Sequence, residues 1–524
     1  MKKLLLIVLF VVILGAFPAA SSPAESNRFT VNFSPSRISW NPHFAYTTIE
    51  AQIFTALYEG LVSFHPATLR PVPGSAESWE ISDDKTIISF NLREGLTWSN
   101  GEEITAADFK DSWLTLLSPE TRSEYASLLD DVIGAREYRS GIASVDDVGI
   151  NAIGTRVLEV HLKQPSPQFL SILCHYSFVP VHRDFRNVRD WSAHRSVPVN
   201  GPFIIKARNP KQLLLDVNPR YWDSDSIALE GLELKFVDDA DVVMRDFNRF
   251  AIDWVVSGMD TTQLSIPEAL NIDPQFSTTY YYFSNRLDAW ADPDVRRALA
   301  LLVPWEQLKE NLLLPASSLV PPIPNYPLAD PGYPPVNERI EKAMELLAKA
   351  GYPEGKGLPD PVIRIASEDP VALAMQRVWR EHCGLDAIVE IIEFPDYYDS
   401  VKSGGYDLAQ LTWTGDYADP LTFLGMWDSR SSFNEAGYNN PNFDSILDNS
   451  ATLDYQARLE KLRDAENILL ASCQVLPIEH FPAVNIIDRR FVGGWYPNAL
   501  DIHPFKYLVP KLGFDIPGVA KLRP

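Results

Sequence analysis

Hydrophobic residues take every second position in "IISFNL", where Ile88, Phe90 and Leu92 alternate with Ser89, Asn91 and Arg93, so the spacing predicts a half-buried strand within 85–98. Val157 or Leu158, Val160 and Leu162 repeat the alternation until Pro165 stops it, and "FIIKARNPKQLLLDV" predicts two more strands joined at Asn209-Pro210. Helical spacing takes over elsewhere. Thr105 with Asp108 three residues on starts a helix through Phe109 and Trp113, and Asp292 or Asp294 caps another over 295–302. Ile340, Ala343, Leu346, Leu347 and Ala350 share one face of a helix over 338–350, with Asn337 as its cap and Gly351 and Pro353 beyond its end. Asp454 caps a helix carrying Leu459, Leu462, Ala465, Ile468 and Leu469, and "VLPIEHF" reads as a strand. Between 362 and 413 the order is strand, helix closed by Gly384, strand, a helical turn over 397–402, then strand, which predicts an α/β fold with a largely parallel sheet and right-handed crossovers.

A chain of 524 residues exceeds what one core supports, so two or more lobes are expected, and the texture changes near position 280, where a new lobe starts. Lys2 and Lys3, the apolar run from Leu4 to Phe17 and the small residues after Pro18 have the pattern of a cleaved export signal, assigned to 1–22. The first cysteine is Cys174, so no acylated cysteine is expected at the cleavage point, and the mature chain is expected to be periplasmic. The net charge of −23 repels phosphate backbones and anionic headgroups, which argues against nucleic acid and membrane surfaces as partners. Cys174, Cys383 and Cys473 allow at most one disulfide, and buried thiols are the expected state. Nine scattered histidines show no metal spacing, and no nucleophile elbow or phosphate loop occurs.

One stretch asks for chemistry. "WTGDYADPLTFLGMW", 413–427, sets Asp416 and Asp419 among Trp413, Tyr417, Phe423 and Trp427, directly after a strand end, where open α/β sheets place ligands. Two carboxylates could act as acid and base in a hydrolase, hold a cationic ligand, or simply build a turn, Asp419 before Pro420 having the look of a helix start. The residues alone leave these readings open.

In order along the chain, "NPHFAYTTIEAQIFTALYEGLVSF", "PVPGSAESWEISDDKTIISFNLREGLTWSNGEEITAADFKDSW", "NGPFIIKARNPKQLLLDVNPRYWD", "AMELLAKAGYPEG", "WTGDYADPLTFLGMW" and "VGGWYPNALDIHPFKYL" resemble the peptide-binding family of extracytoplasmic solute-binding proteins, the dipeptide and oligopeptide receptors of ABC importers. The resemblance implies a two-lobed periplasmic-binding-protein fold of type II with a hinge. On this chain the first lobe would take 25–70, 196–277 and 495–524, an extra subdomain 71–195, and the second lobe 278–494. It implies a non-enzymatic receptor, expected to be monomeric, that captures short peptides and delivers them to permease subunits without cofactor or metal. Asp416 would pair with the peptide α-ammonium, Trp413 and Tyr417 would belong to the same segment, and Tyr125, Thr47 and Thr48 would meet the ligand from the first lobe. Relatives of this kind also take oligosaccharides, nickel complexes or haem, and Gln410 stands where some have an arginine for the peptide carboxylate.

Overall fold

The computed structural model describes residues 28–510 except positions 195, 324 and 395; the expected signal segment and 511–524 lie outside them. In chain order, β1 (Phe29–Phe33) is buried on both faces and leads to a helix over Thr48–Leu57. A short hairpin follows, β2 (Val62–Phe64) with β3 (Pro71–Pro73). The subdomain sheet takes β4 (Ala76–Ile81), β5 (Ile87–Leu92), β6 (Ile150–Ile153) and β7 (Val157–His161), ordered β4-β5-β7-β6 and antiparallel throughout. Its helix, Ala106–Leu117, starts at the expected box, with Thr105 and Asp108 each serving the other's backbone N–H. Phe90, Trp98, Phe109 and Trp113 are fully buried between helix and sheet.

The chain then returns through the hairpin β8 (Phe203–Asn209) and β9 (Gln212–Val217), β10 (Gly231–Phe236) and β11 (Trp254–Val255). From there β12 (Leu270–Phe283) crosses to the second lobe, which holds β13 (Val362–Ile365), β14 (Ile388–Ile391) and β15 (Leu408–Thr414). β16 (Val475–Ile487) crosses back, and β17 (Val492–Gly493) pairs with β18 (Val509–Pro510). One sheet of ten strands, ordered β14-β13-β15-β12-β16-β11-β1-β10-β9-β8, therefore runs through both lobes.

Only part of that sheet is as the sequence predicts. β13 is parallel to β14 and β15, with helix Pro370–Cys383 as crossover, but β12 is antiparallel to both β15 and β16. The expectation of a largely parallel sheet is thus corrected to a mixed one, because two long strands shared between lobes must run in opposite directions. β12 is not among the strands the sequence predicts, and β16 is longer than expected. Pro477 and Pro482 suggest an end to the strand after "VLPIEHF", yet it continues to Ile487. Pro482 lies opposite Pro274, and the register slips between Pro274 and Thr278. Neither proline can donate to the ladder, so the crossing is weakest in hydrogen bonds there. Ile487, Val492 and Trp495 already pack in the first-lobe core with Phe33, Phe54 and Trp254. The helix expected over 338–350 runs Arg339–Lys349, and Asn337 lies in a preceding tight turn over Val336–Glu338.

The two faces of the second lobe are buried separately, one around Trp290, Ile363 and Trp379, the other around Tyr280, Phe423 and Leu462. Glu466, fully buried on the helix Tyr455–Ala471, ties a loop to the latter face: it accepts from the backbone N–H of Leu319 (2.7 Å) and Val320 (2.8 Å) and from Tyr326 Oη (2.8 Å). Burial pushes its carboxyl up to about 7 against the opposing pull of those donors. A raised carboxyl holds its proton longer in the folded state, so this contribution to stability is complete below about pH 4.5 and is lost as pH climbs through about 7. Glu466→Gln is expected to remove that loss; urea denaturation at pH 6, 7 and 8 should show the wild type falling relative to the variant as pH rises.

The three cysteines are free thiols, Cys383 and Cys473 buried and Cys174 partly so.

Candidate functional site

β15 ends at Thr414, and Gly415 makes the turn out of the sheet: its N–H donates to the Phe276 carbonyl at 2.8 Å, and a Cβ there would stand 2.7 Å from both the Phe276 ring and Thr422 Cγ2. Only glycine lets the strand pass so close. Thr422, on the short helix Leu421–Leu424, then fixes the neighbours: its Oγ1 accepts from the Asp416 N–H (2.8 Å) and its carbonyl from Trp413 Nε1–H (3.0 Å). Asp419 is held differently. Its two oxygens accept from Arg458 at 2.7 and 2.8 Å, and Oδ1 also takes the Leu421 N–H at 3.0 Å. Arg458 is 2% exposed, so Asp419 serves as an internal counter-ion and helix start.

The Asp416 side chain is only 10% exposed and meets His175 Nε2 at 3.4 Å. His175 opens the turn Tyr176–Phe178, where its Nδ1 accepts the Ser177 N–H (3.3 Å). That bond leaves the ring proton on Nε2, facing the Asp416 carboxylate. Tyr125 and Tyr176 flank the histidine at centroid distances of 4.4 and 3.9 Å, and Tyr176 Oη donates to the Ala45 carbonyl (2.9 Å). Burial raises both phenols far above their ordinary range, so they stay neutral donors.

Around this group lies a cavity of about 580 Å³ between the lobes. Asp416, Trp413, Tyr125, Thr47 and Thr48 all line it. Thr47 does so as the cap of helix Thr48–Leu57, its hydroxyl committed to Glu50. Tyr417 is the exception among the expected residues. It is 3% exposed in the subdomain core, because neighbouring residues of an extended turn point opposite ways and Asp416 takes the cavity side. Gln410 is likewise not among the lining residues; it hydrogen-bonds Asp369.

Several residues that no spacing announced complete the site. Lys402, on helix Tyr397–Ser403 of the second lobe, pairs with Glu124 of the subdomain at 2.7 Å and lies 3.8 Å from the ring centroid of Tyr46 in the first lobe. Ser432 Oγ bonds Ser127 Oγ (2.8 Å), Arg139 Nη2 donates to the Arg430 carbonyl (2.7 Å), and Arg37 reaches Asp399 at 3.3 Å. Phe433 sits edge-on to both Trp413 and Tyr125, at 5.4 and 5.2 Å. These contacts run between the walls of the cleft. A partly exposed pair contributes up to about 1 kcal/mol, so Lys402→Met is expected to speed ligand dissociation by up to about fivefold in stopped-flow release.

Among the described residues no group of three or more histidines, cysteines and carboxylates is arranged to hold a metal ion, and no helix is long and apolar enough to cross a membrane.

Comparison with known proteins places the arrangement. The family model for bacterial extracellular solute-binding proteins, family 5, middle region, matches residues 70–435. The periplasmic oligopeptide-binding protein of Escherichia coli strain K12 is 29% identical over 91% of each chain. The structure of the murein tripeptide binding protein of Escherichia coli superposes with a TM-score of 0.81 at 27% identity, covering 92% of this chain and 98% of that one. Against the form of that protein described as unliganded and open, the score is 0.63 at 26% identity, over 93% and 98%. A rigid superposition loses score when lobes rotate, so the lobes here stand nearer the former arrangement.

Proposed function

Because the chain belongs to the bacterial extracellular solute-binding proteins of family 5, we propose that it captures short peptides between its lobes and delivers them to the permease of an ABC importer, Asp416 anchoring the peptide's α-ammonium. The observation that carries the anchor is a carboxylate 10% exposed, facing the interlobe cavity, with His175 Nε2 as its neighbour and no lysine or arginine paired with it among the described residues. Peptides of varied sequence share a backbone and two charged ends, so a fixed charge partner and main-chain bonds give affinity without demanding one sequence.

The hinge of this reading lies where Pro274 and Pro482 face each other on the two long strands that cross between the lobes. Release of ligand would follow from rotation about those two strands. The chain acts as an exported monomer, and a receptor returns its ligand unchanged. A hydrolase built on Asp416 and Asp419 is disfavoured because both Asp419 oxygens are taken by Arg458 and Asp419 does not line the cavity.

Thermal-shift titration tests the ligand class. Short peptides with free amines should raise the melting temperature, as anything binding only the folded state does, while free oligosaccharides, nickel chelates and haem should not. A shift with one of those and none with peptides would replace the reading.

A further inference from the structure

The two long cationic side chains that line the cleft, Lys402 and Arg37, are already paired. Lys402 is taken by Glu124, Arg37 by Asp396 and Asp399, and Asp238 accepts from Ser34 Oγ at 2.9 Å. Three lining carboxylates are left without a lysine or arginine partner: Asp238, which has the Ser34 hydroxyl, Asp416, and Glu435, whose side chain makes no hydrogen bond or ion pair among the described residues. Glu435 stands where the main cavity joins a side pocket of about 20 Å³ walled by Tyr280, Tyr282, Trp427 and Phe433. Burial and the nearby Glu124 push its carboxyl up to about 7, while Lys402 and Arg286 pull the other way without pairing with it. A desolvated carboxylate beside aromatic rings lacks only a positive charge, which both the acid and the ring faces attract.

We propose that Glu435 and this aromatic pocket form a subsite for the side-chain ammonium of a lysine, so that the cleft prefers peptides carrying a second positive charge. The inference rests on the peptide reading above. Size narrows the choice of cation: a space of about 20 Å³ takes roughly one water-sized group, which an ammonium is and a guanidinium is not. The pocket shares Leu411, Met426, Phe433 and Glu435 with the main cavity, so a lysine stem can lie in the cleft while its head enters.

Calorimetry with alanine tetrapeptides carrying one lysine, arginine, norleucine or Nε-acetyl-lysine at each position in turn tests this. In the wild type, lysine at one position should bind about tenfold more tightly than norleucine or acetyl-lysine, and more tightly than arginine. In Glu435→Gln the lysine-to-norleucine ratio at that position should fall to about one, whatever the absolute affinities. Equal binding of lysine, norleucine and acetyl-lysine at every position of the wild type would overturn the subsite without touching the peptide reading. So would a lysine advantage that survives the substitution. If no tetrapeptide binds at all, the peptide reading fails and the subsite falls with it.

Discussion

Asp416→Asn is expected to weaken a peptide with a free amine by well over tenfold and to leave its N-acetylated form almost unaffected. Asparagine keeps the size of the side chain and an oxygen that can still receive the His175 Nε2–H, so the turn built on Gly415 and Thr422 should survive. What disappears is the negative charge. A hydrogen bond to an ionised group contributes about 1.5–3 kcal/mol, or roughly ten- to 150-fold in affinity, and more is lost when the partner stays buried without its counter-charge. The acetylated peptide has no ammonium to lose. Titration calorimetry of both peptides against both proteins forms a double-mutant cycle, and a coupling near zero would remove Asp416 as the anchor.

The other large effect concerns stability. Arg458 is 2% exposed and bidentate to Asp419, so Arg458→Met leaves a carboxylate 16% exposed without its partner. Removing one member of a buried pair costs about 3–5 kcal/mol, and that loss is expected in chemical denaturation. Asp419→Asn in the Arg458→Met background should restore part of it. A loss below about 1 kcal/mol would mean that Asp419 is solvated and free, which would reopen its use as an acid or base.

Local elements were legible where local chemistry dictates them. The Thr105 and Asp108 box, the turn at Asn209-Pro210, the Asp292 and Asp454 caps and the Gly384 terminus all depend on residues within a few positions of one another. The two long crossing strands were not legible. Their interior prolines break the pattern that signals a strand, and their pairing joins positions about 200 residues apart, such as Ile272 with Val484. The site divides the same way. Trp413 and Asp416 announce themselves as an aromatic and an acid at a strand end, whereas Tyr417 beside them is drawn into the subdomain core. His175 reaches the cleft from an element far away in sequence, and Lys402 and Glu435, though they flank the 413–427 stretch, sit in a helix and a loop whose spacing carries no signal of a site. Topology brings them together, and topology is what a local pattern cannot express.

The most direct test of the account is mass spectrometry of the small molecules released when the purified mature protein is denatured. Short peptides with free amines are the expected result, enriched in lysine if the Glu435 subsite acts as inferred. Release of a sugar, a metal chelate or haem in place of peptides would contradict the central claim and leave "GDYADP" a structural turn.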